Sequence, residues 1–189
     1  MKHSLVLTLC TLASLATLTT TAWAQLEIEP DQRFLFLATE RTGTMEEELN
    51  EAATLGFRIV TGSPTSENEI AIFLERVAAP PDVYEYKLLA TSRTGTMQDE
   101  LSEAAAEGFR LLPRTMMSKT GRWMGNEELV VVLERSPEPD APRYEYLLLA
   151  TTLTGTLQDE FAQAVDKGFS LAGLASRGEH VAILERLVP

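Results

Sequence analysis

An α+β fold of three tandem β-α-β-β repeats, each a small sheet with one helix on one face and all packed together, is what this 189-residue chain predicts. Two observations predict it. A pattern recurs three times at a spacing of roughly 50–60 residues, as FLATERTGTMEEELNEAATLGFRIV from Phe36, LLATSRTGTMQDELSEAAAEGFRLL from Leu88 and LLATTLTGTLQDEFAQAVDKGFSLA from Leu148. Each copy then runs into an apolar stretch closing on Leu-Glu-Arg, at Leu74-Glu75-Arg76, Leu133-Glu134-Arg135 and Leu184-Glu185-Arg186.

The opening element of each copy alternates with period two, as in Tyr84, Tyr86, Leu88 and Ala90 against Glu85, Lys87, Leu89 and Thr91, which predicts a strand. Phe34, Phe36 and Ala38 repeat it in the first copy and Tyr144-Glu145-Tyr146 in the third. A helix follows. Thr44, Thr96 and Thr156 stand where an N-cap is expected, with Glu47, Asp99 and Asp159 three residues on, close to a capping box. Glu48, Glu100 and Glu160 beside them read as acids complementing the helix dipole. Met45, Leu49, Ala52 and Ala53 share one helical face, as do Met97, Leu101, Ala104 and Ala105. Gly56, Gly108 and Gly168, each followed by Phe, predict left-handed C-terminal caps with an apolar contact behind them. Two more strands complete the unit, Phe57 to Thr61 and Glu69 to Arg76 in the first copy, about a turn at Gly62-Ser63-Pro64.

The repeats span residues 31–77, 83–136 and 143–187, joined by short proline-stiffened linkers. A unit near 45 residues with no disulfide buries too little surface to be stable alone. The closing strands are also apolar on both faces, Ile70 to Leu74 and Leu129 to Leu133, so they need cover on both faces. Three units forming one cooperative body, about a pseudo-three-fold axis, are expected.

Residues 1–24 have the layout of a secretory signal peptide: Lys2 and His3, an apolar run from Leu5 to about Leu18, then Ala22-Trp23-Ala24. Cleavage at Ala24–Gln25 predicts a periplasmic or secreted protein without its only cysteine, Cys10. Removing Lys2 takes the net charge from −12 to −13. So acidic a chain disfavours nucleic acid as a partner, and nothing after the signal is long and apolar enough to insert in a membrane.

Tyr84-Glu85-Tyr86-Lys87, the helix ending in Gly108-Phe109 and the strand Val130-Val131-Val132-Leu133-Glu134-Arg135 resemble a class of small bacterial domains of unknown function. Those domains open YEYK, carry a helix ending in Gly-Trp or Gly-Phe, and close on a strand with a terminal basic pair. The first copy departs at Gln32-Arg33-Phe34, and Arg58, Arg110 and Ser170 stand where the family has an acid. The resemblance implies a fold and brings no catalytic residues.

Candidate chemistry is sparse. Thr-Gly-Thr before each helix offers backbone N–H groups to an anion, yet Leu153 replaces Arg41 and Arg93 in the third copy. His180 occupies the column of Ile70 and Leu129, a packing position at a strand end. With no second histidine and no cysteine after the signal, a conventional zinc site or a Cys/His nucleophile pair is ruled out, and a non-enzymatic protein with no cofactor is expected. The one non-repeating surface is the longer hairpin of the second copy. It gathers Arg114, Lys119 and Arg122 with Trp123, Met116, Met117 and Met124. Trp and Arg dominate interface hot spots and Met suits adaptable contacts. These residues predict docking on an unknown protein partner in the cell envelope or outside. The alternatives are a structural or oligomerising envelope protein and, further off, a soft-metal-binding or hydrolytic one.

Overall fold

A computed structural model describes residues 26, 28–66, 68–77, 83–120 and 126–189; the expected signal segment, its expected cleavage point and Arg122, Trp123 and Met124 lie outside the described residues. Among the described residues ten strands and three α-helices follow one another as three segments, two of them β-α-β-β and the second with one further strand. The first holds β1 (Phe34–Thr39), α1 (Thr42–Thr54), β2 (Phe57–Pro64) and β3 (Ile70–Arg76). The second holds β4 (Glu85–Thr91), α2 (Thr94–Ala106), β5 (Arg110–Leu111), β6 (Met117–Thr120) and β7 (Glu127–Arg135). The third holds β8 (Tyr144–Thr151), α3 (Thr154–Asp166), β9 (Ser170–Ser176) and β10 (His180–Leu187). The fold is mixed α+β with three small antiparallel sheets, ordered β1-β3-β2, β4-β7-β5 with β6 also on β7, and β8-β10-β9.

The strand apolar on both faces is the central one in every sheet, which is where such a run is stable. The helices end as expected. Gly56, Gly108 and Gly168 have φ of 86°, 90° and 87°. In the second segment the Phe109 N–H reaches Ala104 O at 3.0 Å and the Gly108 N–H reaches Ala105 O at 3.0 Å, the paired bonds of a Schellman cap.

The helix starts differ from expectation. α1 begins at Thr42 with Arg41 at the N-cap and no side-chain capping bond, and α2 and α3 begin the same way after Arg93 and Leu153. The stop comes from the strand instead: the hydroxyls of Thr39, Thr91 and Thr151 accept from the N–H groups of Arg41, Arg93 and Leu153 at 3.1–3.2 Å. Thr44, Thr96 and Thr156 therefore lie inside the first turn, and the acids expected there fall one turn too late to act on the helix dipole.

The turn expected at Gly62-Ser63-Pro64 also moves. Those residues extend β2, and the chain reverses at Thr65–Glu69, where Asn68 takes φ 69°. β2 is an edge strand, so the missing N–H of Pro64 is harmless. β2 and β9 each carry one bulge: the register shifts between Ile59 and Thr61 of β2, and opposite Ile183/Leu184 of β10 in β9. In the second segment that bulge expands into a 3-10 turn, Pro113–Thr115, between β5 and β6. The buried Thr115 hydroxyl closes the gap in the ladder, accepting from Val132 N at 3.0 Å and donating to Leu112 O at 2.8 Å. Part of the second hairpin's extra length is thus bound into the sheet.

The segments stack in order and do not close about a three-fold axis. One core joins Leu35, Leu37, Ile72 and Leu74 of the first sheet with Met45, Leu49 and Ala53 of α1 and with Tyr86, Leu88, Val130 and Val132 of the second sheet. The next core repeats the arrangement with Leu111, Val131, Leu133, Met97 and Leu101 against Tyr146, Val181 and Ile183. The last core joins α3 only to its own sheet, through Ala164, Ala182 and Leu184. One face of each sheet is shared with its helix and the following segment, and its other face is covered by the preceding segment. Among the described residues no segment is stacked on the outer face of the first sheet or beyond α3.

Candidate interaction site

Two internal joints show what a covered face looks like. At the first, Arg58 grips Glu134 with two nitrogens, Nη2 to Oε1 at 2.7 Å and Nε to Oε2 at 3.0 Å. The Tyr86 hydroxyl donates to Glu134 Oε2 at 3.1 Å and accepts from Ile59 N at 3.2 Å. The guanidinium also lies 4.2 Å from the centre of the Tyr84 ring. At the second joint Arg110 meets Glu185 at 2.8 Å, Tyr146 accepts from Leu111 N at 2.7 Å, and Arg110 lies 4.1 Å above Tyr144. Hydrogen bonding to the carboxylates raises both arginine pKa values above the usual guanidinium value. Burial is the main cause that pushes the Tyr86 and Tyr146 hydroxyls upward, so both remain protonated.

Helix side chains seal the free edges of β4 and β8. Asn50 exchanges two bonds with the backbone of Tyr86, each 2.9 Å, and Glu46 accepts from Leu88 N at 2.7 Å. Gln98 does both jobs in the next joint, donating to Tyr146 O at 3.0 Å and accepting from Leu148 N at 2.7 Å. An edge strand with unpaired N–H and C=O groups recruits other strands, and these side chains remove that liability. Each joint also carries a buried cation reaching back into the preceding segment: Lys119 donates to Glu40 O at 3.0 Å and Arg177 to Thr91 O at 2.8 Å.

The predicted hairpin residues divide among these joints. Met117 is buried against Gly62, its Cε 3.0 Å from where a Cβ would stand, and Met116 packs on Gly173 from the opposite side of the strand. Met116 and Met117 therefore face different joints and do not converge. Lys119 is buried in its contact with Glu40, while Arg114 is exposed and its carbonyl accepts from the Thr61 hydroxyl at 3.3 Å. Asn68 binds both backbone groups of Thr120, at 2.5 and 2.6 Å, which ties the hairpin arm to the first segment. A cleft of about 320 Å3 beside the Ser136–Pro142 linker is lined by Arg58, Arg110, Glu134 and Tyr144. Both of its arginines are committed to carboxylates. His180 opens β10, paired between Thr151 and Ser176, as its strand-end position predicts.

The two ends look unlike the joints. On the outer face of the first sheet Phe34 and Phe36 are 45% and 62% exposed, and Phe34 stacks on Phe73 with 5.5 Å between ring centres. Their counterparts, by position before the Thr-Gly-Thr motif, are the buried or half-buried Tyr86, Leu88, Tyr146 and Leu148. At the far end Leu171 and Leu174 are 51% and 60% exposed on the face of β9 that lies beside α3. Ser170 stands where the joints have Arg58 and Arg110, and Leu153 where they have Arg41 and Arg93. The sequence showed the Leu153 replacement without its meaning, which is that both departures fall on the segment with nothing stacked beyond it among the described residues.

No helix among the described residues is long and apolar enough to cross a membrane. No family model, no curated protein and no solved structure matches this chain, so the functional reading rests on the geometry.

Proposed function

We propose that this is an exported, non-enzymatic interaction module, cut after Ala24 and working in the periplasm or outside the cell. Its body is three tandem copies of one β-α-β-β unit, a fold akin to the small bacterial domains it resembles in sequence, and its binding surfaces are the ends of the stack. One observation carries this reading: Phe34 and Phe36 are exposed on a sheet face whose two counterparts are covered by a neighbouring segment. Contiguous exposed aromatic surface on a soluble domain marks a contact site. The polar side chains that elsewhere signal catalysis are engaged in the joints: Arg58, Glu134 and Tyr86 hold one another, Arg110 holds Glu185, and the Tyr146 hydroxyl accepts from Leu111 N. Proteins retained from a cell-envelope fraction by the wild type and by the Phe34→Asp, Phe36→Asp variant test the proposal. Loss of retained proteins with the variant supports it, and identical sets reject the aromatic face.

The longer hairpin is a second proposed contact, favoured by the exposure of Arg114 at its root. With Met116, Met117 and Lys119 taken up by the joints, docking there falls to Arg114 together with Arg122, Trp123 and Met124. The separation of Met116 and Met117 argues against a soft-metal site. Retention by a Trp123→Ala, Arg122→Ala variant distinguishes the hairpin from the aromatic end.

A further inference from the structure

We infer that the aromatic face of the first sheet receives α3 and the adjoining face of β9 from a second copy of this chain, giving head-to-tail association. This rests on reading the stack ends as binding surfaces, and it names their occupant.

The structure builds the same joint twice. The outer face of the second sheet is covered by α1 and the inner face of the first sheet; that of the third is covered by α2 and the inner face of the second. In each case a Met-Leu-Ala helix face and an apolar strand meet a sheet face carrying an aromatic and a leucine. The first sheet offers the corresponding face, with Phe34 and Phe36 at the positions of Tyr86 and Leu88. The chain also carries the matching partner surface. Leu157 and Phe161 of α3 take the places of Met97 and Leu101, yet they are only half-buried because no further sheet covers them. Leu171 takes the place of the fully buried Leu111 and is half exposed. Gln158 is the same residue as Gln98, which clamps the edge backbone of β8, and it is exposed on α3. One chain thus presents both halves of a joint it has already assembled twice. A contact between two different patches is heterologous, so it extends to further copies unless the rotation closes it into a ring.

The joint between copies is weaker than the internal ones. Ser170 offers no guanidinium, Glu75 is held by Arg33 at 2.8 Å, Phe34 lacks the hydroxyl of Tyr86, and Gln32 already donates to Phe34 O at 2.8 Å. Association is therefore reversible and concentration-dependent, driven by apolar burial without the directed polar bonds.

Sedimentation velocity over a wide concentration range tests it, using the exported protein, a head variant (Phe36→Asp) and a tail variant (Leu174→Asp). Both substitutions lie on exposed side chains. The wild-type mass should rise with concentration, each variant alone should hold at the monomer mass, and an equimolar mixture should form a dimer and nothing larger. The mixture restores exactly one joint because one variant retains the head and the other the tail, which also shows that both variants are folded. Reinstating the missing groups with Phe34→Tyr and Ser170→Arg should tighten association about tenfold. A wild type that stays monomeric at every concentration overturns the inference. So does a dimer abolished by the head variant and untouched by the tail variant, since that contact is face to face. A monomeric wild type whose envelope partner is lost with Phe36→Asp removes self-association and leaves the interaction module standing; loss of neither removes both.

Discussion

The two joints and the two ends are made from corresponding positions, yet they solve different problems. Within a joint an arginine grips a glutamate, a tyrosine hydroxyl bonds that glutamate at the first joint and the Leu111 backbone at the second, and helix amides seal a strand edge. At the ends Ser170 takes the arginine's place, and Gln32 and Phe34 take the places of Tyr84 and Tyr86. Directed polar bonds stabilise a joint only when the partner is always present, because an unsatisfied buried donor or charge costs more than the bond returns. A surface that is empty part of the time is better built from plain apolar side chains, which stay hydrated at small cost and need no partner of fixed geometry.

Breaking the Arg–Glu contact gives the largest contrast. Glu134→Ala leaves Arg58 and the Tyr86 hydroxyl without their acceptor, and should lower stability by about 2–3 kcal/mol, below the fully buried limit because Arg58 rehydrates. Glu75→Ala at the open end removes a solvent-exposed pair and should cost about 0–1 kcal/mol. Urea melts of the two variants measure the difference, and equal losses would erase the distinction between joint and end.

A smaller contrast comes from the edge seals. Gln98→Leu strips partners from Tyr146 O and Leu148 N and should cost about 1–3 kcal/mol. Gln158→Leu on α3, at a concentration where the protein is monomeric, should change stability by less than about 0.5 kcal/mol. Hydrogen exchange at Leu148 sharpens the test, since its amide should lose protection only in the first variant.

The smallest effect concerns pH. Burial, with Glu103 nearby, raises the Glu100 pKa above the usual carboxylate value, and one of its oxygens is buried without a partner. The folded state therefore binds that proton more tightly than the unfolded chain, so stability is lost as pH rises through the carboxylate range. Glu100→Gln should raise stability at neutral pH by under about 1 kcal/mol, with the gain fading as pH falls and the wild-type carboxyl becomes neutral. The exposed Glu160→Gln on α3 should show no such gain. A gain that persists unchanged at low pH would refute the ionisation account.

Much of the local structure was legible because its causes are local. The period-two strands, the apolar helix faces and the left-handed glycines at Gly56, Gly108 and Gly168 each depend on neighbours a few residues away. The helix starts misled because Thr44 has the right residue type and spacing for a cap, while the turn is made by Thr39, three residues before α1 begins. Gly62-Ser63-Pro64 has the composition of a turn but lies extended, where the absence of a Cβ at Gly62 lets Met117 and Ile72 close in. The hairpin read as a protruding surface because its Met, Lys and Arg residues match nothing in the other copies; Met116, Met117 and Lys119 match instead the segments packed on either side.

By itself the sequence determined the order of strands and helices in each segment, the places of the three helices, the glycines that end them and the need for segments to share an interior. Propensity, periodicity and the conformational freedom of glycine act within a few residues and need no partner. Only the tertiary structure decided that the stack is open, that Arg58 finds Glu134 at a separation of 76 residues, and that Phe34 and Phe36 are left uncovered. Those outcomes depend on which face of one sheet meets which face of the next, and that is set by packing across the whole body.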